Sequence, residues 1–487
     1  MQLDDTNRNP SCDLRERAGF IDSDSYGFLL RDLRAEPWQP PGPRNQAEDA
    51  IFERSKKLFG KSADNPAIPA GYPFFGQFIT HDLSFAVASS GEIHRPTNLR
   101  TPRFDLDCVY AGGSDAQPYL YELHHPGRFL IGHNEFGERD LPRNSDMSIR
   151  GTTSTFTRRR SALIGDPRND ENTIISQLHL AFLLLHNRLV EDRAFEDARR
   201  LVRWSYQHAL LDFLRRVCGR KIVGQVLGRN GQPNLMFFKV NPSAVFMPVE
   251  FSFAAFRMGH TMLGESYHLN DALGKERGRP ILLFADVPPD WIERNKRAQN
   301  TLEGQRELPK KWTIQWDRFV GADKKKTQAS QRIDCELAEP LRHLPMDVSA
   351  GARDERERSI AYRTLLAGWK IGLPSGQKVA ELLEEQPLVP HGHDDPLWVY
   401  VLREAHEKEG GERLGPVGAR IVTEVCVGLL ASDPESFYTR QPRWQPWDEL
   451  GVRGSGEFGL GDLLRAAGVP ITKEQWDEFV PAKARQP

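Results

Sequence analysis

Gln77 and His81 set an amide and an imidazole four residues apart within Gly76-Gln77-Phe78-Ile79-Thr80-His81-Asp82. On a helix this spacing puts both groups on one face, one turn above the other. Asp82, rotated by about 100° from His81, turns to a different neighbour. One helix could therefore serve both a reactive centre and a cation. The flanking Phe74, Phe75, Phe78, Ile79, Leu83 and Phe85 are too apolar for this helix to lie open in water. Burying Gln, His and Asp without partners costs roughly 1–3 kcal/mol each, so each needs one. Taken alone, His81 reads as a core histidine bonded to a backbone carbonyl; other segments change that reading.

Gly165-Asp166-Pro167-Arg168-Asn169-Asp170-Glu171-Asn172 opens a helix, with Asp166 as N-cap and Pro167 at the first helical position. Arg168 and Glu171, three apart, can face one site. An arginine in a first turn opposes the helix dipole, so something must compensate for it. Ala255-Phe256-Arg257-Met258-Gly259-His260-Thr261 sets a second histidine among apolar residues, with Gly259 letting something flat approach the backbone. In Thr101-Pro102-Arg103-Phe104-Asp105-Leu106-Asp107, Asp105 and Asp107 alternate with main-chain carbonyls and the Thr101 hydroxyl. That pattern suits a hard cation but needs one more carboxylate, which Asp82 can supply.

The elements that must position these groups are mainly helical. Apolar spacing predicts helices over 47–60, 74–88, 171–194, 196–218, 251–262, 356–370, 376–386, 397–408, 415–431 and 472–480. Trp312 to Val320 and Leu235 to Val240 are the better strand candidates, and 92–160 reads as loop. Residues 1–45, broken by Pro37, Pro40, Pro41 and Pro43, form an expected extended arm; 46–487 form one large domain. A formal charge of −2 over 487 residues gives no reason to expect nucleic acid. Five scattered cysteines without CxxC spacing argue against a disulfide framework or zinc knuckle. No apolar run is long enough for a membrane span, and the polar amino terminus lacks a signal-peptide pattern, so a cytoplasmic location is expected.

In this order, GQFITHD, TPRFDLDCVY, GDPRNDEN with LLLHNRLV, FRMGHT and, more loosely, LAGWKIGLPSGQ resemble the haem-dependent animal peroxidase family. This is the peroxidase–cyclooxygenase superfamily, in a bacterial-type single-domain form, and the resemblance runs from about residue 70 to 435. It implies a mainly α fold: one large helical haem-peroxidase domain with few short strands and long loops. It implies haem b and Ca²⁺ as cofactors, and hydrogen peroxide with a small organic donor or halide as reactants. On this likeness His260 is the proximal iron ligand, His81 the distal acid–base, Arg168 the distal cation and Gln77 the group that holds water or an anion. Glu171 and Arg257 would touch the cofactor. Asp82, Thr101, Asp105, Asp107 and the Arg103 carbonyl match the calcium loop.

Departures from the family pattern carry their own expectations. Thr80 replaces an acid able to form an ester to haem, which leaves Glu171 and at most one such link. Asn172 replaces a methionine bonded to a vinyl group. Thr364 and Ala367 stand where relatives have an Asn that orients the proximal histidine and an Arg that pairs with a propionate; a Thr364 hydroxyl could still accept the imidazole proton. A fatty-acid dioxygenase or cyclooxygenase type of enzyme would need a tyrosine where Arg257 stands. Tyr267 reads as structural. A non-catalytic haem-binding interaction protein would have no need of Gln77, His81 and Arg168 together. Gly454 to Gly459 reads as a turn rather than a dinucleotide loop, and His186-Asn187-Arg188 as a structural brace.

Overall fold

The computed structural model describes residues 26–87, 97–144, 161–273, 280–284, 300–345, 354–452, 454 and 456–485. Helix accounts for 47% of the chain, and the strands are short and paired only two by two. The longer helices are α1 (Ala47–Lys56), α2 (Gly71–Leu83), α3 (Thr173–Leu189), α4 (Phe195–Val217) and α5 (Arg220–Leu227). They are followed by α6 (Ile360–Ile371), α7 (Gly376–Leu382), α8 (Leu397–Glu409), α9 (Pro416–Ser432), α10 (Leu460–Ala466) and α11 (Lys473–Phe479). One buried apolar core runs from Leu29 to Ile471.

α2 is nearly all buried because aromatic residues cover most of its circumference. Phe78 stacks on Phe182 of α3, with centroids 4.6 Å apart and planes 7° from parallel, and Tyr206 of α4 meets both rings edge-on. Offset aromatic pairing of this kind fixes orientation as well as burying area. α2 and α3 are thereby locked face to face, which sets His81 opposite the turn that leads into α3.

Several expected boundaries move. Asp166 does cap a turn, accepting from the Arg168 N–H, but the turn is a 3₁₀ segment over Pro167–Asp170. The α-helix starts at Thr173 under its own cap, Asn172. The expected helix over 251–262 is a four-residue turn, Val249–Ser252, followed by a 3₁₀ segment, Ala255–His260. That segment packs on α2, α8 and α9.

Neither strand candidate forms a strand. Asp317–Val320 is a helical turn. The backbone N–H groups of Met236, Phe237 and Phe238 all point to Glu424 Oε1, so a carboxylate takes the donors that a sheet partner would have taken.

Of the expected arm, residues 1–25 lie outside the described part, as do 92–96 and 145–160 of the expected loop. Tyr26–Gly27 pairs in parallel with Met247–Pro248. Just beyond it, the N–H groups of Leu29 and Leu30 donate to the buried Glu250 carboxylate at 2.9 Å each. His186, Asn187 and Arg188 brace α3: His186 bonds the Tyr110 hydroxyl and the Gly127 carbonyl, Asn187 both backbone groups of Phe129, and Arg188 the Ala466 carbonyl. No described helix is long and apolar enough to cross a membrane.

Candidate active site

The GDPR turn reaches α2 because Gly165 lies against the Cys108 carbonyl; a Cβ there would sit 2.7 Å from that oxygen. Arg168, half-buried on this turn, donates from Nη2 to the His81 carbonyl at 3.0 Å. It also forks onto Asp166, with Nε to Oδ1 at 3.0 Å and Nη2 to Oδ2 at 2.7 Å. Its guanidinium covers the Phe85 ring at 4.3 Å. Asp166 is the compensation that an arginine in this position requires. Though buried, Asp166 is held well below the usual carboxylate range by Arg168 and Arg100.

Gln77, one turn before His81, donates from Nε2 to Glu171 Oε2 at 3.1 Å and accepts from Asn172 at 3.4 Å. Burial pushes the Glu171 carboxyl up to about 7, against the pull of Arg168. His81 is 6% exposed, and burial together with the Arg168 charge lowers it to about 3, so it is neutral near pH 7. Its Nδ1 is 2.8 Å from Asn169 Oδ1.

On the other side, burial and the charges of Arg257 and Arg363 lower His260 to about 3. A neutral imidazole is the form that binds a metal. His260 Nδ1 is buried without a hydrogen bond. Trp398 on α8 meets the ring edge-on at 6.3 Å and donates its indole N–H to the Arg257 carbonyl at 3.3 Å. Arg257 donates to the Ser252 carbonyl and, from Nη1, to the Thr364 hydroxyl at 3.2 Å. Thr364 is therefore engaged by Arg257 rather than by the imidazole. Burial and Arg363 lower Arg257 to about 10, which leaves it charged at neutrality.

These two groups are linked electrostatically through Arg363 and Tyr26. Glu171, Arg257 and His260 are surrounded by protein, yet each keeps accessible surface. A Cβ added at Gly259 would find nothing within 4 Å, so open space adjoins the backbone beside His260. Arg363, on α6, acts electrostatically on Glu171 and also on Arg257 and His260. Tyr26 packs on the Phe253 ring at 5.2 Å, the same ring that Arg257 covers, and feels both Arg257 and Arg168. Sequence reasoning missed Arg363 and Tyr26; nothing in their local sequence marks either as facing the site. A separate cavity of about 730 Å³, bordered by Trp38, Arg54, Cys335 and His391, contains none of the predicted site residues.

The carboxylates of Asp82, Asp105 and Asp107 bring oxygens within 4.8 Å of one another. Burial and then mutual repulsion raise Asp82 and Asp107, and burial raises Asp105. One oxygen each of Asp82 and Asp107 has no hydrogen bond. The Thr101 hydroxyl joins the cluster, donating to Asp105 Oδ2 at 2.8 Å. Arg103 turns its guanidinium outward, to the Pro242 carbonyl at 3.3 Å. Three clustered carboxylates that raise one another, with the Thr101 hydroxyl among them, fit a divalent hard cation. Arg100 joins this cluster to the first group: its Nη1 is 3.6 Å from Asp107 Oδ1 and its Nη2 2.6 Å from Asp166 Oδ2.

Residues 87–305 match the family model for animal haem peroxidase, a span that holds the acidic loop, Arg168 and His260 and begins just beyond Asp82. Peroxidase A from Dictyostelium discoideum shares the fold with a TM-score of 0.58 at 16% identity, covering 90% of this chain and 94% of its own. The fatty acid alpha-dioxygenase of Oryza sativa gives a TM-score of 0.51 at 13% identity, covering 94% and 80%. That of Arabidopsis thaliana gives 0.50 at 13% identity, covering 91% and 77%. Curated protein sequences give no significant match.

Proposed function

With an animal haem peroxidase domain in this chain, we propose that the protein reduces hydrogen peroxide at the expense of a small organic donor or a halide. One observation carries the reading. Gln77 bonds Glu171 and Arg168 bonds the His81 carbonyl, and Arg363 acts on Glu171 as well as on His260 and Arg257.

The residues present fit haem b. His260 would ligate iron through Nε2 as a neutral imidazole. Gly259 leaves room beside it, and Arg257 carries a charge suited to a haem carboxylate. Haem, when bound, supplies the redox iron at which the peroxide O–O bond is broken. The remaining work falls to the chain. His81 takes the proton from the inner peroxide oxygen at Nε2 and returns it to the outer one, which leaves as water; such acid–base help is worth typically 10²–10⁴-fold. Arg168, held by Asp166 and by the His81 carbonyl, stabilises the negative charge that develops on the leaving oxygen. Gln77, held by Glu171 and Asn172, positions a water or a small anion.

Thr80 spends its hydroxyl on the Gly76 carbonyl at 3.0 Å and cannot form an ester, so Glu171 alone could link to haem. Asp82, Asp105, Asp107 and Thr101, with the Arg103 carbonyl, would hold Ca²⁺ and anchor the residue next to His81.

An absorbance scan of the purified protein, before and after added haem, tests this first. A Soret band together with peroxide-driven oxidation of guaiacol or bromide is expected, and no band in either sample would end the reading. Oxygen uptake with a fatty acid, without peroxide-driven donor oxidation, would put a dioxygenase in its place.

A further inference from the structure

We infer that Asn169 is a positioning residue that decides which nitrogen of His81 keeps its lone pair. This deepens the peroxidase reading and rests on it for its functional consequence. The Asn169 side chain lies fully buried between two imidazoles. Its Oδ1 is 2.8 Å from His81 Nδ1 and its Nδ2 is 3.0 Å from His179 Nδ1.

A turn-forming asparagine commonly spends its side chain on nearby backbone. Here the backbone N–H of Asn169 closes the turn onto Asp166, and both ends of the amide go to histidines. The turn does not need this side chain; the imidazoles use it. An amide oxygen only accepts, so His81 Nδ1 must carry the ring proton, and the lone pair is then on Nε2. In this orientation His179 accepts the amide N–H at Nδ1. His179 is wholly buried, its Nε2 makes no hydrogen bond, and the Phe78 ring of α2 lies edge-on to it at 6.2 Å. The reverse orientation of the amide would place a proton on His81 Nε2 and turn a proton acceptor into a donor.

Two measurements test the inference. Long-range proton–nitrogen spectra of ¹⁵N-histidine-labelled protein, with the His81 signal identified by its loss in His81→Ala, report the tautomer with or without haem. The Nδ1–H form is expected; the Nε2–H form would overturn the inference and leave the peroxidase reading standing. In haem-loaded protein, hydrogen cyanide must give its proton to a base as the anion binds iron, so its association rate reports on His81 Nε2. Asn169→Leu should slow association by about 10–100-fold, with the Soret band and circular dichroism unchanged. Asn169→Asp, which retains an acceptor, should stay within a few-fold of the parent. An Asn169→Leu protein as fast as the parent, or both variants slowed alike, would refute the role. Failure of the parent protein to bind haem would instead sink the peroxidase reading, and the tautomer spectra would still decide the inference.

Discussion

Arg257 Nη1 donates to the Thr364 hydroxyl at 3.2 Å, while His260 Nδ1 has no hydrogen bond. An axial imidazole whose second nitrogen has no acceptor gives less electron density to the metal than one that donates to a carbonyl. Thr364→Asn offers such a carbonyl. The expected result is a lower ferric/ferrous potential, followed by spectroelectrochemistry at the Soret band; a tenfold relative stabilisation of the ferric form corresponds to about 59 mV. An unchanged potential would mean that the side chain at 364 does not reach the imidazole.

His81 and His260 sit in similar apolar surroundings and are lowered to similar values, but opposite roles are expected of them. His81→Ala should keep the haem spectrum and lose about 10²–10⁴-fold in the peroxide step, measured by stopped flow. His260→Ala should change the spectrum itself and weaken haem retention. Equivalent behaviour of the two variants would void the assignment of roles.

Glu171 gives the site a pH signature in the haem-free protein. Burial raises its carboxyl to about 7, above the unfolded value near 4.3. The folded state therefore binds this proton more tightly. The stabilisation is fully present below about pH 4.3 and is lost as pH rises through about 7. Glu171→Gln removes the titration. The stability of the parent relative to the variant, from denaturant unfolding, should fall between pH 5 and 8 by up to about 1.4 kcal/mol per pH unit. A difference independent of pH would show a normally ionising carboxyl.

The sequence was most informative where chemistry and helical spacing coincide. Gln77, His81 and Asp82 were readable because one apolar helix had to account for three polar groups. The acidic loop was readable because Asp105 and Asp107 alternate. What was not legible depends on contacts distant in the chain. Asn169 drew no reading of its own, since its partners His81 and His179 lie 88 and 10 positions away. Tyr26 reaches the site only through the pairing of Tyr26–Gly27 with Met247–Pro248. The Leu235–Val240 strand failed because apolar alternation cannot show that a distant Glu424 will take the backbone donors. The helix expected over 251–262 failed for a related reason: it packs as a 3₁₀ segment against three helices, where tertiary contacts override propensity.

The acidic cluster gives a prediction that separates cation binding from simple acidity. Asp82, Asp105 and Asp107 are raised because, without a cation, burial and their neighbours penalise the charged forms. A bound Ca²⁺ would reverse that penalty, stabilising the folded state by about 2.7 kcal/mol at a hundredfold excess over the dissociation constant. Dialysis against a calcium chelator should lower the unfolding temperature, and added CaCl₂ should restore it, as read by differential scanning calorimetry. Asp107→Asn removes one of the carboxyls whose ionisation the fold penalises. It should raise the stability of the calcium-free protein while abolishing the response to calcium. Arg100 forms ion pairs with both Asp107 and Asp166, and Asp166 holds Arg168, so chelation should also slow the peroxide step. A parent protein whose unfolding temperature ignores both chelator and calcium would leave the three carboxylates as a buried, proton-sharing cluster and remove the cation from the account.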